Sequence, residues 1–260
     1  TNWKNFLGRL KNPTAEVTIG LIGKYVELPD AYKSIAEAFI HAGAHLECKV
    51  NVHWISSETV TNKSVHRILR DMDGVLVAPG FGERGIEGKI EAIRYVREES
   101  IPFFGICLGM QCAVVEFARN VLGLEGAAST ELNPDTPHPV IGLMEDQKNI
   151  EDYGGTMRLG AFDCKLKKPS KVYNAYGHIK IDERHRHRYE FNNKYLKDFE
   201  NAGMEAVGTN PESNLVEIME LSNHPYFVAS QFHPELKSTV MSPHPLFVSF
   251  IVAIVKNKKN

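Results

Sequence analysis

The stretch Ile101-Pro-Phe-Phe-Gly-Ile-Cys107-Leu-Gly-Met-Gln111 decides the fold. Its first six residues form a short, apolar and aromatic run that is long enough for a buried strand. Residues 109–121 then carry apolar side chains with the period of a helix. Between the two, Gly105 and Gly109 lie two residues before and two residues after Cys107. Small residues at these positions permit a tight strand-to-helix turn, which holds the apical side chain in a strained backbone and in the open.

Cys107 is therefore a candidate nucleophile. At the N-terminus of the following helix it would lie in the positive end of the helix dipole, which favours the nucleophilic thiolate. The alternative is a buried core cysteine, because free cysteine is among the most buried residue types. We adopt that alternative for Cys48, Cys112 and Cys164, whereas the two flanking glycines favour the nucleophile for Cys107.

A base for this nucleophile is available far downstream, in Phe227-Val-Ala-Ser-Gln-Phe-His233-Pro-Glu235. Residues 226–231 are predicted to form another buried strand, and Pro234 restricts the backbone of the segment that leaves it. Side chains two residues apart in an extended segment point the same way, so we expect Glu235 to orient His233. Nucleophile, base and orienting carboxylate form the arrangement used for acyl transfer. Taken alone, either His233 or Glu235 could equally be a solvated loop residue.

Other strands and helices alternate along the first half of the chain. The apolar patterns predict strands at 17–23, 46–54 and 74–78, and helices at 31–42, 64–70 and 87–98. This rhythm predicts an α/β fold with a mostly parallel central sheet and helices on both faces. Further strands are predicted at 140–144, 204–209 and 216–221, with a helix at 196–202. Residues 243–247 lead into a closing helix that is predicted to run through Ile254.

Two backbone N–H groups are candidates for an oxyanion hole. Ligands on parallel sheets bind at the carboxyl ends of strands, and Gly80 and Cys107 each lie just past such an end. The N–H groups of Gly80 and Leu108 are the candidate donors, and one such donor is typically worth about 3 kcal/mol of transition-state stabilisation. The loop at Gly80 could also be an ordinary turn, or a weak phosphate cradle, but it lacks the Gly-Lys-Ser/Thr of a nucleotide P-loop.

Length and composition bound the class of protein. The chain has 260 residues, of which 43% are hydrophobic and 24% charged, and this favours one large globular domain. A formal net charge of −2 argues against nucleic-acid binding, despite the basic run between Glu183 and Glu190. His185 and His187 could share a strand face and bind a metal, but no third ligand is evident, so we predict no metal site. Four cysteines without C-x-x-C spacing, no apolar membrane span and no signal-peptide pattern lead us to expect a cytoplasmic protein.

The tight turn at residues 105–109, here called the elbow, and the His-Pro-Glu sequence together resemble the class I, triad-type glutamine amidotransferases. In that family the nucleophile lies in G-x-C-x-G and the base and carboxylate lie in H-P-E. The resemblance implies a flavodoxin-like fold, with Cys107, His233 and Glu235 as the catalytic triad. The alternatives within this fold are another class I amidotransferase or a γ-glutamyl hydrolase, and a non-catalytic assembly module.

Four further segments resemble the amidotransferase domain of the CTP synthase family. They are Gly80-Phe-Gly-Glu-Arg-Gly85, residues 154–160, residues 183–193 and Ser242-Pro-His-Pro-Leu-Phe247. The two middle segments argue against a γ-glutamyl hydrolase, and the intact triad argues against a non-catalytic module. One departure is Ala78-Pro79-Gly80, where the family usually has Pro-Gly-Gly. Gly80 is retained, and Pro79, which lacks an N–H group, leaves only Gly80 to donate there.

The resemblance also implies the partners. Residues 1–13 would be the linker from an N-terminal synthase domain, and residues 14–260 the amidotransferase domain. L-Glutamine would be hydrolysed through a γ-glutamyl thioester, and the ammonia would aminate UTP to CTP with ATP, in pyrimidine nucleotide biosynthesis. ATP, Mg²⁺ and UTP would bind to the synthase domain, with no cofactor on this chain. GTP would be the allosteric activator, with the loop around Arg84 as a candidate contact, and the full-length enzyme would be a homotetramer.

The resemblance finally implies a set of glutamine contacts. Glu131 would accept from the ammonium group of glutamine, Gln111 would contact its amino-acid end, and Arg188 would pair with its α-carboxylate. Without the resemblance, Gln111 and Arg188 rank only slightly above surface residues. The full implied set is Gly80, Phe81, Leu108, Gly109, Met110, Gln111, Glu131 and Arg188.

Overall fold

The computed structural model describes residues 2–143 and 157–259. Within them the helices are α1 (Asn2–Lys11), α2 (Lys33–His45), α3 (Val65–Leu69), α4 (Ile86–Glu98), α5 (Leu108–Asn120), α6 (Lys171–Tyr176), α7 (Leu196–Asn201) and α8 (Pro245–Lys258). The strands are β1 (Ala15–Gly23), β2 (Cys48–Ser56), β3 (Gly74–Val77), β4 (Phe103–Ile106), β5 (Ala128–Ser129), β6 (Pro139–Gly142), β7 (Arg158–Leu166), β8 (Lys180–His187), β9 (Glu190–Phe191), β10 (Met204–Thr209), β11 (Val216–Leu221) and β12 (Phe227–Ser230). In this part of the chain, every helix is too short or too polar to cross a membrane.

One large sheet runs through the molecule in the order β2-β1-β3-β4-β12-β11-β10-β7-β8. Its first five strands pair in parallel, which confirms the predicted parallel sheet and gives the strand order typical of flavodoxin-like folds. The remaining strands pair in antiparallel fashion and extend the sheet beyond β12. Strands β5, β6 and β9 form a small separate sheet.

Helices cover both faces of the parallel strands, as predicted. Successive side chains of β3 point to opposite faces, so that Val77 packs with one cluster of apolar residues and Leu76 with the other. The first cluster contains side chains of α4 and α5, for example Ile93. The second contains side chains of α2 and α8, for example Phe39 and Phe250. The carboxyl ends of β3, β4 and β12 therefore open at one edge between two packed layers.

The antiparallel pair of β7 and β8, which α6 connects, was not predicted. Along β8 the buried side chains are Glu183, His185 and His187, and the residues between them are exposed. A strand whose buried face is polar shows no apolar alternation, so its periodicity cannot reveal it. Helix α6 also escaped prediction because it has only six residues. The end of the strand predicted at 140–144 and residues 154–156 lie outside the described residues.

The lead-in before residue 14 is the helix α1. None of its described residues is buried, and Trp3 stacks on Phe6 with ring centroids 5.5 Å apart. β1 begins directly afterwards, at Ala15. The assignment of this segment as a linker stays a prediction.

Candidate active site

The turn between β4 and α5 is as sharp as the sequence predicts. Cys107 lies at its apex with φ 53° and ψ −103°, a backbone conformation that strains a residue other than glycine. A Cβ atom on Gly105 would lie 2.9 Å from the carbonyl carbon of Gly109. A Cβ atom on Gly109 would lie only 2.3 Å from the carbonyl oxygen of Val77. Both positions therefore require glycine for the close approach of backbone segments.

The side chain of Cys107 is not in the open, contrary to our expectation. Only 3% of the residue is exposed, and it is reached through two cavities of about 290 Å³ each. One of these cavities is also lined by His233 and Glu235. The structure thus brings together the three residues that the sequence predicts as a triad.

His233 and Glu235 contact each other through a turn and not through an extended segment, which corrects the predicted geometry. Residues Pro234–Lys237 form a short 3₁₀ helix that brings the carboxylate round to the imidazole. His233 Nδ1 lies 2.7 Å from Glu235 Oε1, so Nδ1 carries the hydrogen. His233 Nε2 makes no hydrogen bond of regular geometry among the described residues, but the imidazole lies close enough to Cys107 to interact with it. This nitrogen is therefore available for proton transfer with Cys107.

The charge state of His233 follows from its neighbours. Burial opposes protonation of the imidazole, but its interactions with Cys107 and Glu235 outweigh burial and raise the pKa of His233 to about 10. An imidazole that is protonated at neutral pH can give a proton to a leaving group.

This pKa predicts how stability depends on pH. Because the folded value of about 10 exceeds the ordinary value of 6.5, protonated His233 contributes stability that is fully present below about pH 6.5 and is lost as the pH rises through about 10. We expect His233→Gln to lower the free energy of unfolding, measured by urea denaturation, more at low pH than at high pH. The exposed His178→Gln serves as the matched control. An equal loss at both ends of this pH window would show that the imidazolium is not stabilised in the fold.

The second cavity at Cys107 contains most of the predicted glutamine contacts. Among its lining residues are Gly80, Phe81, Leu108, Gln111, Glu131 and Arg188. Gly109 and Met110 do not line it, because Gly109 packs against the backbone of Val77 and Met110 is fully buried in the core. Their role in binding stays a prediction that depends on backbone N–H groups. The cavity wall also contains Met157, Arg186, His187 and Tyr189, which sequence reasoning did not assign.

This cavity carries charge of both signs. Glu131 is partly buried, and burial raises the pKa of its carboxyl, while a hydrogen bond to the Gly82 backbone and the cations Lys24 and Arg188 oppose that shift. Arg186 and Arg188 line the same cavity. A pocket with one carboxylate and two guanidinium groups suits a ligand that carries both an ammonium and a carboxylate.

Two lysines that were not predicted from the sequence donate hydrogen bonds to the backbone of the glycine loop after β3, at residues 78–82. Lys24 Nζ donates to the carbonyl oxygens of Phe81 and Gly82. Lys89 is fully buried, its Nζ donates to the Ala78 carbonyl at 2.8 Å, and burial lowers its pKa to about 8. Lys89 could have been found, because it interrupts the apolar stripe of α4. Among the described residues, the N–H groups of Gly80 and Leu108 donate no hydrogen bond within the protein.

Comparison with known proteins agrees with this geometry. Residues 27–253 match the family described as glutamine amidotransferase class-I. The chain belongs to this family. The class-I amidotransferase resemblance drawn from the elbow and from His-Pro-Glu is thereby confirmed.

Among the class-I amidotransferases, proteins named CTP synthase are similar to nearly the whole chain. One from Cytophaga hutchinsonii is 66% identical over 99% of this chain and 48% of its own length. Another, from Christiangramia forsetii, is 65% identical over 96% of this chain and 46% of its own length. The chain therefore spans about half the length of these curated relatives.

Solved structures of class-I amidotransferases show the same fold. The glutaminase domain of a Trypanosoma brucei CTPS with bound acivicin is 36% identical, with a TM-score of 0.88 over 92% of this chain and 94% of that one. This likeness confirms the resemblance to the CTP synthase branch. A putative GMP synthase subunit from Thermoplasma acidophilum shares the fold alone. It is 15% identical, with a TM-score of 0.60 over 94% of this chain and 96% of that chain.

Proposed function

We propose that this class-I amidotransferase hydrolyses L-glutamine with Cys107 as the nucleophile. The observation that carries the proposal is that Cys107, with its strained backbone, lines two cavities. One is also lined by the His233–Glu235 pair, and the other by a carboxylate and two guanidinium groups. The thiolate attacks the side-chain amide carbon of glutamine. The N–H groups of Gly80 and Leu108 then hold the oxyanion of the tetrahedral intermediate.

His233 moves the protons in both halves of the reaction. The imidazolium gives its Nε2 proton to the leaving nitrogen, so that ammonia departs and a γ-glutamyl thioester remains on Cys107. The neutral imidazole then takes a proton from water, which attacks the thioester and releases glutamate and the thiolate. Glu235, 2.7 Å from Nδ1, keeps Nε2 directed at the reacting atoms throughout.

The two-signed cavity supports glutamine as the substrate. Glu131 and Arg188 both line it. In this proposal Glu131 accepts from the α-ammonium group, and Arg188 pairs with the α-carboxylate. Gln111 lines the same cavity, and in this proposal it contacts the amino-acid end of the substrate. The bound acivicin in the Trypanosoma brucei relative, a glutamine analogue, supports the same ligand class.

For the whole protein, we propose that the released ammonia passes to a linked N-terminal synthase domain and aminates ATP-activated UTP to CTP. The length of the relatives named CTP synthase, about twice that of this chain, supports such a domain. ATP, Mg²⁺ and UTP would bind there, with GTP as an allosteric activator. A cytoplasmic homotetramer is the assembly that this proposal includes.

A substrate screen tests the proposal. We expect the full-length protein to release glutamate from glutamine much faster than from γ-glutamyl peptides, and to leave asparagine intact. Activity on γ-glutamyl peptides without activity on glutamine would identify a γ-glutamyl hydrolase. No activity on any of these amides, in the presence of ATP, UTP and GTP, would favour a non-catalytic assembly module.

A further inference from the structure

Behind the glutamine cavity lies a buried polar cluster that the triad does not use. Strands β7, β8 and β11 and the β9 region supply its side chains, each no more than 11% exposed. One member, His187, lines the cavity, whereas another, Glu217, is completely buried. The cluster therefore connects the pocket wall to the interior. Its members are Arg158, His185, His187, Glu190 and Glu217.

Two contacts show where the histidine hydrogens lie. His187 Nδ1 is 3.2 Å from the Tyr189 carbonyl oxygen and 3.4 Å from Glu190 Oε1. Both oxygens are acceptors, so Nδ1 carries the hydrogen of a neutral His187 and its Nε2 accepts. His187 Nε2 lies 2.8 Å from His185 Nδ1, which must therefore carry the hydrogen of His185.

The next contact requires one more proton. His185 Nε2, left as an acceptor, faces Glu217 Oε2 at 3.5 Å. Among the described residues neither atom has a hydrogen-bond partner. With an ionised Glu217, lone pairs would face each other in the protein interior, which is a costly arrangement. Glu217 Oε1 is already occupied, because it accepts from Arg158 Nη2 at 2.8 Å.

We propose that Glu217 holds a proton on Oε2, and that this proton locks His185 and His187 in their Nδ1–H tautomers. Glu217 donates to His185, His185 donates to His187, and His187 donates to the Tyr189 carbonyl. In this series of hydrogen bonds every donor points the same way, from the core towards the pocket wall.

The surroundings favour the neutral forms of the side chains in this series of hydrogen bonds. Burial, reinforced by the neighbouring His187, Arg158 and His233, lowers the pKa of His185 to about 2. Burial raises the pKa of Glu217 and of Glu190, and the shared Arg158 only partly opposes this. The rings of Phe162 and Phe232 pack edge-on against His185, with their centroids 5.4 and 5.9 Å from that of the imidazole, and they exclude water. Among the described residues, two further titratable groups lie near the cluster, since Cys164 interacts with Glu217 and also with Glu183.

The Tyr189 carbonyl links this series of hydrogen bonds to the substrate cavity. It accepts from His187 Nδ1 and also from Gln111 Nε2, each at 3.2 Å. Gln111 Nε2 donates in addition to Gln231, whose own amide lies 3.7 Å from Cys107 Sγ. If His187 changed to its Nε2–H tautomer, the Nδ1 lone pair would repel the carbonyl on which Gln111 is fixed. Glu217 is therefore a positioning residue for glutamine binding, an inference that rests on the proposed function.

Two substitutions of Glu217 separate its proton from its charge. Glu217→Gln keeps an acceptor for Arg158 and a donor for His185, whereas Glu217→Leu keeps neither. In the full-length protein we expect Glu217→Gln to retain the wild-type KM for glutamine. Glu217→Leu should raise that KM on the order of tenfold, with a smaller change in kcat. Ammonia-dependent CTP formation should be unchanged in both.

An increase in KM for Glu217→Gln as large as that for Glu217→Leu would overturn the inference, since the carboxylate charge would then be what matters. A wild-type protein that hydrolyses no glutamine would instead overturn the proposed function. Nitrogen-15 NMR of the histidine rings tests the inference without any substitution. We expect neutral Nδ1–H tautomers at His185 and His187 throughout the range near neutral pH. An imidazolium or an Nε2–H tautomer at His185 would contradict the inference.

Discussion

Replacing Cys107 with alanine is expected to abolish glutamine-dependent CTP formation by the full-length protein while ammonia-dependent formation persists. In the proposed mechanism the Cys107 thiolate forms the covalent intermediate, and removal of a nucleophile that acts as part of a triad typically lowers kcat by about 10⁴-fold or more. In the proposed reaction free ammonia bypasses this chain, because the amination would take place on the synthase domain. The measurement compares CTP formation with glutamine and with ammonium salts as the nitrogen source.

Cys112→Ala is the matched control for this substitution. Cys112 lies just over one turn further along α5, is almost completely buried, and burial raises the pKa of its thiol to about 11. It is therefore a core cysteine, and its replacement should leave most of the glutaminase activity. If Cys107→Ala also removed ammonia-dependent synthesis, the two-site account would fail. Normal glutaminase activity in Cys107→Ala would refute the assignment of the nucleophile.

Gly109→Ala is expected to reduce both stability and activity. The added Cβ would lie 2.3 Å from the carbonyl oxygen of Val77, which is backbone in the centre of the sheet and cannot move aside. Overpacking of this kind costs about 3 kcal/mol, measurable as a lower free energy of unfolding in urea. The start of α5 must shift to relieve the clash, so Cys107 and the Leu108 N–H group lose their positions and glutamine hydrolysis falls.

The control is Gly8→Ala, another glycine-to-alanine change within a helix. A Cβ on Gly8 meets nothing within 4 Å, so the higher helix propensity of alanine should stabilise α1 by up to about 1 kcal/mol. A Gly109→Ala protein as stable and as active as the Gly8→Ala protein would show that the elbow does not need the close approach of α5 and β3.

The parallel half of the fold could be predicted from sequence because the pattern of apolar residues within each short segment identifies it as a strand or a helix. Each of β1, β3 and β4 is a short apolar run, and each following helix carries an apolar face, so the two periods alternate visibly. The elbow could be predicted because only glycine fits where β4, α5 and β3 approach so closely. The predicted triad residues followed from chemistry, since a nucleophile needs a base and the base needs a partner.

Strands β7 and β8, at the antiparallel end of the sheet, escaped prediction because the buried face of β8 is not apolar. The antiparallel strands β10 and β11 match the strands predicted at 204–209 and 216–221. The buried face of β8 consists of one carboxylate and two imidazole side chains. The imidazoles lie near Arg158 and Glu217, and the carboxylate of Glu183 pairs with His244, so all these partners lie far away in sequence. The turn that joins His233 to Glu235 was misjudged for a related reason, because a two-residue spacing fits a strand and a 3₁₀ turn alike. Its geometry depends on backbone contacts such as that between the His233 N–H group and the Arg184 carbonyl.

Chemical labelling tests the nucleophile most directly. The protein is treated with a glutamine-like electrophile, digested, and its cysteine peptides are analysed by mass spectrometry. We expect one label per chain, on Cys107, with labelling slowed by excess glutamine and lost in His233→Gln. The other cysteines, Cys48, Cys112 and Cys164, are buried, and burial raises the pKa of each, so they should remain unmodified. A label on one of these three cysteines while Cys107 stays unmodified would contradict the account.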